Sequence, residues 1–99
     1  MAIDGNWKVT VSAPTGPLAT TLVVTSAGST FTGTQSGERE AATVSSGRIE
    51  GDQISWSIAI TQPMSLQLDF AGVLKDNQMS GNVRAGFMGS FPFTGVREA

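Results

Sequence analysis

The chain has no cysteine, no histidine and no tyrosine. Without cysteine there are no disulfides, no thiolate nucleophiles and no thiolate metal ligands. Without histidine there is no imidazole to act as a base near neutral pH, and a Ser-His-Asp triad is excluded. The usual protein ligands of zinc and haem are missing, so neither a metal nor another cofactor is expected. No glycine-rich phosphate loop or dinucleotide-binding motif occurs. Catalysis would have to rest on Asp, Glu, Lys, Arg or Ser alone. No pair of carboxylates stands out as an acid and a nucleophile, so the residues point away from an enzyme.

Charge is scarce too. Charged residues make up 14% of the chain and the net charge is −2. The six basic residues (Lys8, Arg39, Arg48, Lys75, Arg84 and Arg97) are scattered singly. They form no stripe that would neutralise a run of phosphates or an anionic bilayer, so neither nucleic acid nor membrane is an expected partner. No apolar run approaches the ~18 residues of a membrane span. The start, Met1-Ala2-Ile3-Asp4-Gly5, lacks the basic-then-apolar order of a signal peptide, and the expected location is the cytoplasm. A chain of 99 residues supports one core, hence one domain over 1–99.

What is present is alternation. Twelve glycines and four prolines break the chain too often for long helices. Apolar residues recur instead at every second position, as in Ile54, Trp56, Ile58, Ile60 and in Leu66, Leu68, Phe70, Gly72, Leu74, with polar or small residues between. One wet and one buried face is the mark of an antiparallel sheet. Eight strands are predicted, at about 3–12, 18–25, 30–36, 41–50, 53–61, 64–75, 78–85 and 90–97, joined by short turns such as Pro14–Pro17, Gly51-Asp52 and Asp76-Asn77. Short connections make neighbours pair antiparallel. The expected fold is all-β: an up-and-down meander of about eight antiparallel strands closed into a barrel, with a two-sheet β-sandwich as the alternative.

Repeated elements support the meander. Phe31-Thr32-Gly33, Phe70-Ala71-Gly72 and Phe93-Thr94-Gly95 each set a large ring beside a position without a side chain. In a tightly curved sheet such a glycine relieves crowding. The segment 47–55 also echoes 72–80, each reading as strand, two-residue turn, strand.

Gly5-Asn6-Trp7 near the start and Arg97 near the end resemble the signature of the calycin superfamily, which includes lipocalins, fatty-acid-binding proteins and avidins. That resemblance implies a closed meander barrel in which the arginine packs across the tryptophan ring. The streptavidin-like branch is nearest in length, but the residues that hold biotin in avidins have no counterpart here. Gly5-Asn6-Trp7, Gly51-Asp52 and Phe93-Thr94-Gly95-Val96-Arg97 also resemble short bacterial domains of unassigned function, a likeness that implies fold more than activity.

Candidate ligand-binding residues follow from parity. Trp7, Trp56, Phe91 and Arg97 fall on inward positions, and Met64 adds adaptable apolar surface. Each has a plain structural reading as well: Trp7 and Arg97 stapling one barrel end, Trp56 filling the core. Phe87 and Met88, at a turn, suit a cap on the barrel mouth or a subunit contact. Two functions are expected from these features. One is a binding module holding a small apolar or amphipathic molecule. The other is a structural or interaction domain working through its outer face, as a homodimer or an accessory to an enzyme. Inward glycines (Gly5, Gly33, Gly72, Gly81, Gly95) would favour the first if they leave room inside. Asp69 is expected to face solvent, with Arg84 or Lys8 across from it.

Overall fold

The computed structural model describes residues 4–13, 16–37, 41–60, 66–86 and 89–98. They form β1 (Gly5–Ala13), β2 (Gly16–Ala27), β3 (Thr30–Ser36), β4 (Ala41–Glu50), β5 (Gln53–Ile60), β6 (Leu66–Lys75), β7 (Gln78–Ala85) and β8 (Ser90–Glu98). Each strand pairs antiparallel with the next, and β8 pairs back onto β1 with Trp7 opposite Arg97 and Val11 opposite Phe93. That closing pairing decides for the barrel against the sandwich. Strands β3, β4 and β7 have the predicted bounds. Strand β2 starts earlier than predicted and takes in Gly16 and Pro17, with Pro17 opposite Ser12. Proline is tolerated so near a strand start, where a missing N–H breaks little of the ladder.

The two ends of the barrel differ. At one end the connections are the two-residue turns Gly28-Ser29, Gly51-Asp52 and Asp76-Asn77. The first residue of each sits at positive φ: +67° for Gly28, +61° for Gly51 and +56° for Asp76. Asp reaches this region because its short polar side chain can bond locally. The other end is bounded by Ala13 and Gly16, Ser36 and Ala41, Ile60 and Leu66, and Ala85 and Ser90. We call these the hairpin end and the loop end.

Inside lie Trp7, Val9, Leu22, Val24, Phe31, Val44, Ile54, Trp56, Ile58, Phe70, Leu74, Met79, Val83 and Phe93, all buried. Trp56 is the hub. Its ring stacks on Phe70 at 4.7 Å and 3° and meets Phe31 and Phe93 edge-on at 6.0 and 5.7 Å. Such pairs add about 0.5–1.5 kcal/mol each beyond burial of their area. The outer face carries Thr, Ser, Gln and the charged residues, as the alternation requires.

Strand β4 holds a bulge that the sequence reading missed. Its register with β5 shifts between Ser45 and Arg48, and Ser46 takes φ +55°. The effect on facing is direct: Ala42 and Val44 point inward at even positions, Gly47 at an odd one. An extra residue on one strand bends it and tightens the local twist.

Closure at this small size needs backbones to approach closely. Gly72 and Gly81 lie opposite each other in the β6–β7 pair. A Cβ on Gly72 would run into the Ser80 carbonyl oxygen, and one on Gly81 into the Ala71 carbonyl oxygen and the Gly72 Cα. These glycines therefore make the bend, as expected, but they leave no space behind. At Gly95 the vacant side-chain position is taken by Met79, whose Cγ lies 2.5 Å from where a Cβ would stand.

Candidate functional site

The hairpin end is sealed. Trp7 is fully buried, and the Arg97 guanidinium lies over its ring, with Cζ 4.4 Å from the centroid. Arg97 Nε donates to Asn77 Oδ1 at 3.0 Å, and Nη1 donates to the Asp4 carbonyl oxygen. Asp4 in turn accepts from the Ser26 hydroxyl at 2.7 Å and from the Ser26 backbone N–H. The Ser26 hydroxyl, then its N–H, pulls the Asp4 carboxyl down to about 2. This cluster ties the start of β1, the end of β2, the β6–β7 turn and the end of β8. Arg97 therefore meets Trp7 as the resemblance implied, and both belong to a plug.

The loop end is built differently. Inward-facing apolar residues continue up to the rim, where those among the described residues are only partly buried. Leu18, across from the inward Val11, is 54% exposed, and Ile60, Leu66, Leu68 and Phe91 are half-buried. Ile60 and Leu66 face each other across β5 and β6, and Leu68 lies opposite Ala85. Beneath the rim is a chain of polar groups. Trp56 Nε1 donates to Gln35 Oε1 at 3.0 Å, and Gln35 Nε2 donates to Thr20 Oγ1 at 2.9 Å. Thr20 Oγ1 donates to the Val9 carbonyl oxygen at 3.1 Å. Gln35 is 3% exposed and is the one buried polar side chain among the described residues. A buried amide must be hydrogen-bonded to be tolerated, and this chain does that across four strands. No buried side-chain nitrogen or oxygen among the described residues lacks a partner altogether.

The predicted site residues thus divide between the two ends. Trp7 and Arg97 sit at the hairpin end, Trp56 at the centre and Phe91 at the loop-end rim. Met64, Phe87 and Met88 lie outside the described residues. Gln35, Thr20, Leu18, Ile60, Leu66 and Leu68 were not singled out as site residues from sequence. A usable signal existed for Gln35: it shares inward parity with Phe31 and Gly33, where a carboxamide is out of place.

The outer wall offers two shallow depressions. One, about 370 Å³, is lined by Arg48, Glu50, Gln53, Ser55, Ala71 and Val73; the other, about 220 Å³, by Asp69, Ala71, Asn82, Arg84 and Ser90. Both open to solvent. Asp69 faces outward as expected, opposite Arg84 and not Lys8. The Gln67 amide first and the Ser57 hydroxyl second hold its carboxyl below the usual range, with the Arg84 charge adding to them. Each donates to Asp69 Oδ1, at 2.9 and 2.7 Å. No group of three metal-ligating side chains converges among the described residues. Among the described residues there is no helix long and apolar enough to cross a membrane.

No protein-family model, no curated protein and no solved structure matches the chain.

Proposed function

We propose that this protein is a small-molecule-binding barrel, calycin-like in build, that holds an apolar or amphipathic ligand at its loop-end mouth. The observation that carries this reading is the contrast between the ends. One is sealed by Trp7 and Arg97, while at the other Leu18, Ile60, Leu66, Leu68 and Phe91 face inward yet stay partly open to solvent. Covering partly exposed apolar side chains yields about 25 cal/mol per Å², so an apolar body lying across the rim is favoured there. The aromatic cluster around Trp56 fills the middle of the barrel. The ligand is therefore held across the rim, with only its tip directed inward.

The test is a titration of tryptophan emission with decanoate, decanol and undecan-2-one. Trp7→Phe isolates the signal of Trp56, beneath the rim. Saturable change is expected, weakened at least tenfold by Leu18→Gln combined with Phe91→Ser. No change with any of the three would overturn the reading. It would move the function to the outer wall, where the two depressions around Ala71 favour an interaction domain.

A further inference from the structure

The outer wall of β6 and β7 is complementary to itself. Its outward residues face each other in pairs across the two strands: Asp69 and Arg84, Ala71 and Asn82, Val73 and Ser80. The first pair is opposite in charge, and the other two each set a short side chain beside a longer one. Asp69 and Arg84 are placed for a cross-strand ion pair, yet they do not close on each other. Asp69 takes its two hydrogen bonds on Oδ1, from Ser57 on β5 and from Gln67 on its own strand. Arg84 makes no hydrogen bond or salt bridge among the described residues. Both side chains line the open depression of about 220 Å³, together with Ala71, Asn82 and Ser90.

From this we infer that the outer face of β6 and β7 is a homodimer interface, closed by two Asp69–Arg84 ion pairs across a two-fold axis. An axis running along the strands, between β6 and β7, exchanges one strand for the other. In such an isologous contact residue i meets j and j meets i. Each cross-strand pair therefore recurs between the subunits. Arg84 meets Asp69 of the partner subunit, where its planar fork can take both carboxylate oxygens. Asn82 comes down over the short Ala71 of the partner subunit and enters the depression. Val73, 47% exposed, is covered above Ser80. A second copy is the occupant because the wall carries both signs of charge. A partner of one sign would suit Arg84 or Asp69 and oppose the other. The strip is two strands across, about 10 Å wide and about 30 Å long. That is small for an interface, so the dimer is weak and reversible. The inference does not rest on the ligand reading, because this wall lies on the side of the barrel between the two ends.

The experiment is sedimentation equilibrium of the whole chain over a concentration series that reaches the near-millimolar range. The unsubstituted protein is expected to pass from monomer toward dimer. Asp69→Arg leaves only positive charge at the two facing positions, and Arg84→Asp leaves only negative charge. Each variant alone is expected to stay monomeric. Mixed one to one, they are expected to associate at least tenfold more tightly than either does alone, since each supplies the charge the other lacks. Tryptophan emission from the Trp56 cluster reports whether each variant keeps its core. Should either fail to fold, Ala71→Arg tests the same face by filling the depression, and it is expected to lose the dimer. Monomer at every concentration of the unsubstituted protein would overturn the inference. So would a dimer that these substitutions leave intact, or a mixture of the two folded charge variants that stays monomeric.

Discussion

Gly81→Ala should be among the most damaging single-methyl additions this barrel can suffer, although alanine is ordinarily the better strand residue by roughly 0.5–1 kcal/mol. The new Cβ would meet the Ala71 carbonyl oxygen and the Gly72 Cα. Both are backbone atoms of the paired strand, so no rotamer change relieves the contact. Relief requires strands β6 and β7 to separate, which weakens ladder hydrogen bonds next to Phe70 and Val83. Overpacking typically costs about 1–3 kcal/mol, and a site with no yielding side chain belongs at or above the top of that range. We expect a loss of about 3 kcal/mol, which in a domain of this size lowers Tm by about 12–24 °C. Two companions grade the argument. At Gly95 the obstruction is the flexible Met79 side chain, so Gly95→Ala should cost only about 1 kcal/mol. At Gly37 a Cβ would lie 3.7 Å from Thr20 Cγ2, an ordinary contact, and Gly37→Ala should be neutral or stabilising by up to about 1 kcal/mol. Urea unfolding followed by tryptophan emission measures all three. Equal midpoints for Gly81→Ala and Gly37→Ala would refute the close-approach account of closure.

Arg97→Ala removes the guanidinium from the Trp7 ring together with its bonds to Asn77 and Asp4, and should destabilise by about 1–3 kcal/mol. Arg97→Lys should recover less than half of that, because an ammonium cannot span the ring and both oxygens; thermal unfolding of the pair decides it. Asp4 is held at about 2 when folded, below its unfolded value near 4. Its contribution is therefore complete above about pH 4 and is lost as pH falls toward 2. Urea midpoints at pH 5 and pH 2.5 should converge more closely in Asp4→Asn than in the wild type, and an unchanged difference would contradict the Ser26 contact.

Most of the fold was readable because its signals are local. Alternation at 54–60 and 66–74 reports which face is buried, since the side-chain period of a strand is two. Glycine and aspartate at the turns report backbone conformations that other residues avoid. Gly5-Asn6-Trp7 and Arg97 suggested a meeting of the chain ends, and their contact bears that out. The bulge was also written in the sequence, as the change from inward Ala42 and Val44 to inward Gly47, but a weak strand hides such a shift.

Other features existed only in three dimensions. Whether β8 closes on β1 depends on accumulated twist and tilt around all eight strands, which no local pattern encodes. Whether an inward glycine opens a cavity or admits a neighbour depends on what stands opposite. At Gly72 and Gly81 that is backbone, and at Gly95 it is Met79. The bond between Gln35 and Trp56 joins residues 21 apart on strands that do not pair with each other. The sequence alone set which side chains face inward, because pleating alternates them. Only the closed barrel set which of those meet and that Trp7 and Arg97 stack at one end, because both depend on how far the register climbs before the last strand finds the first.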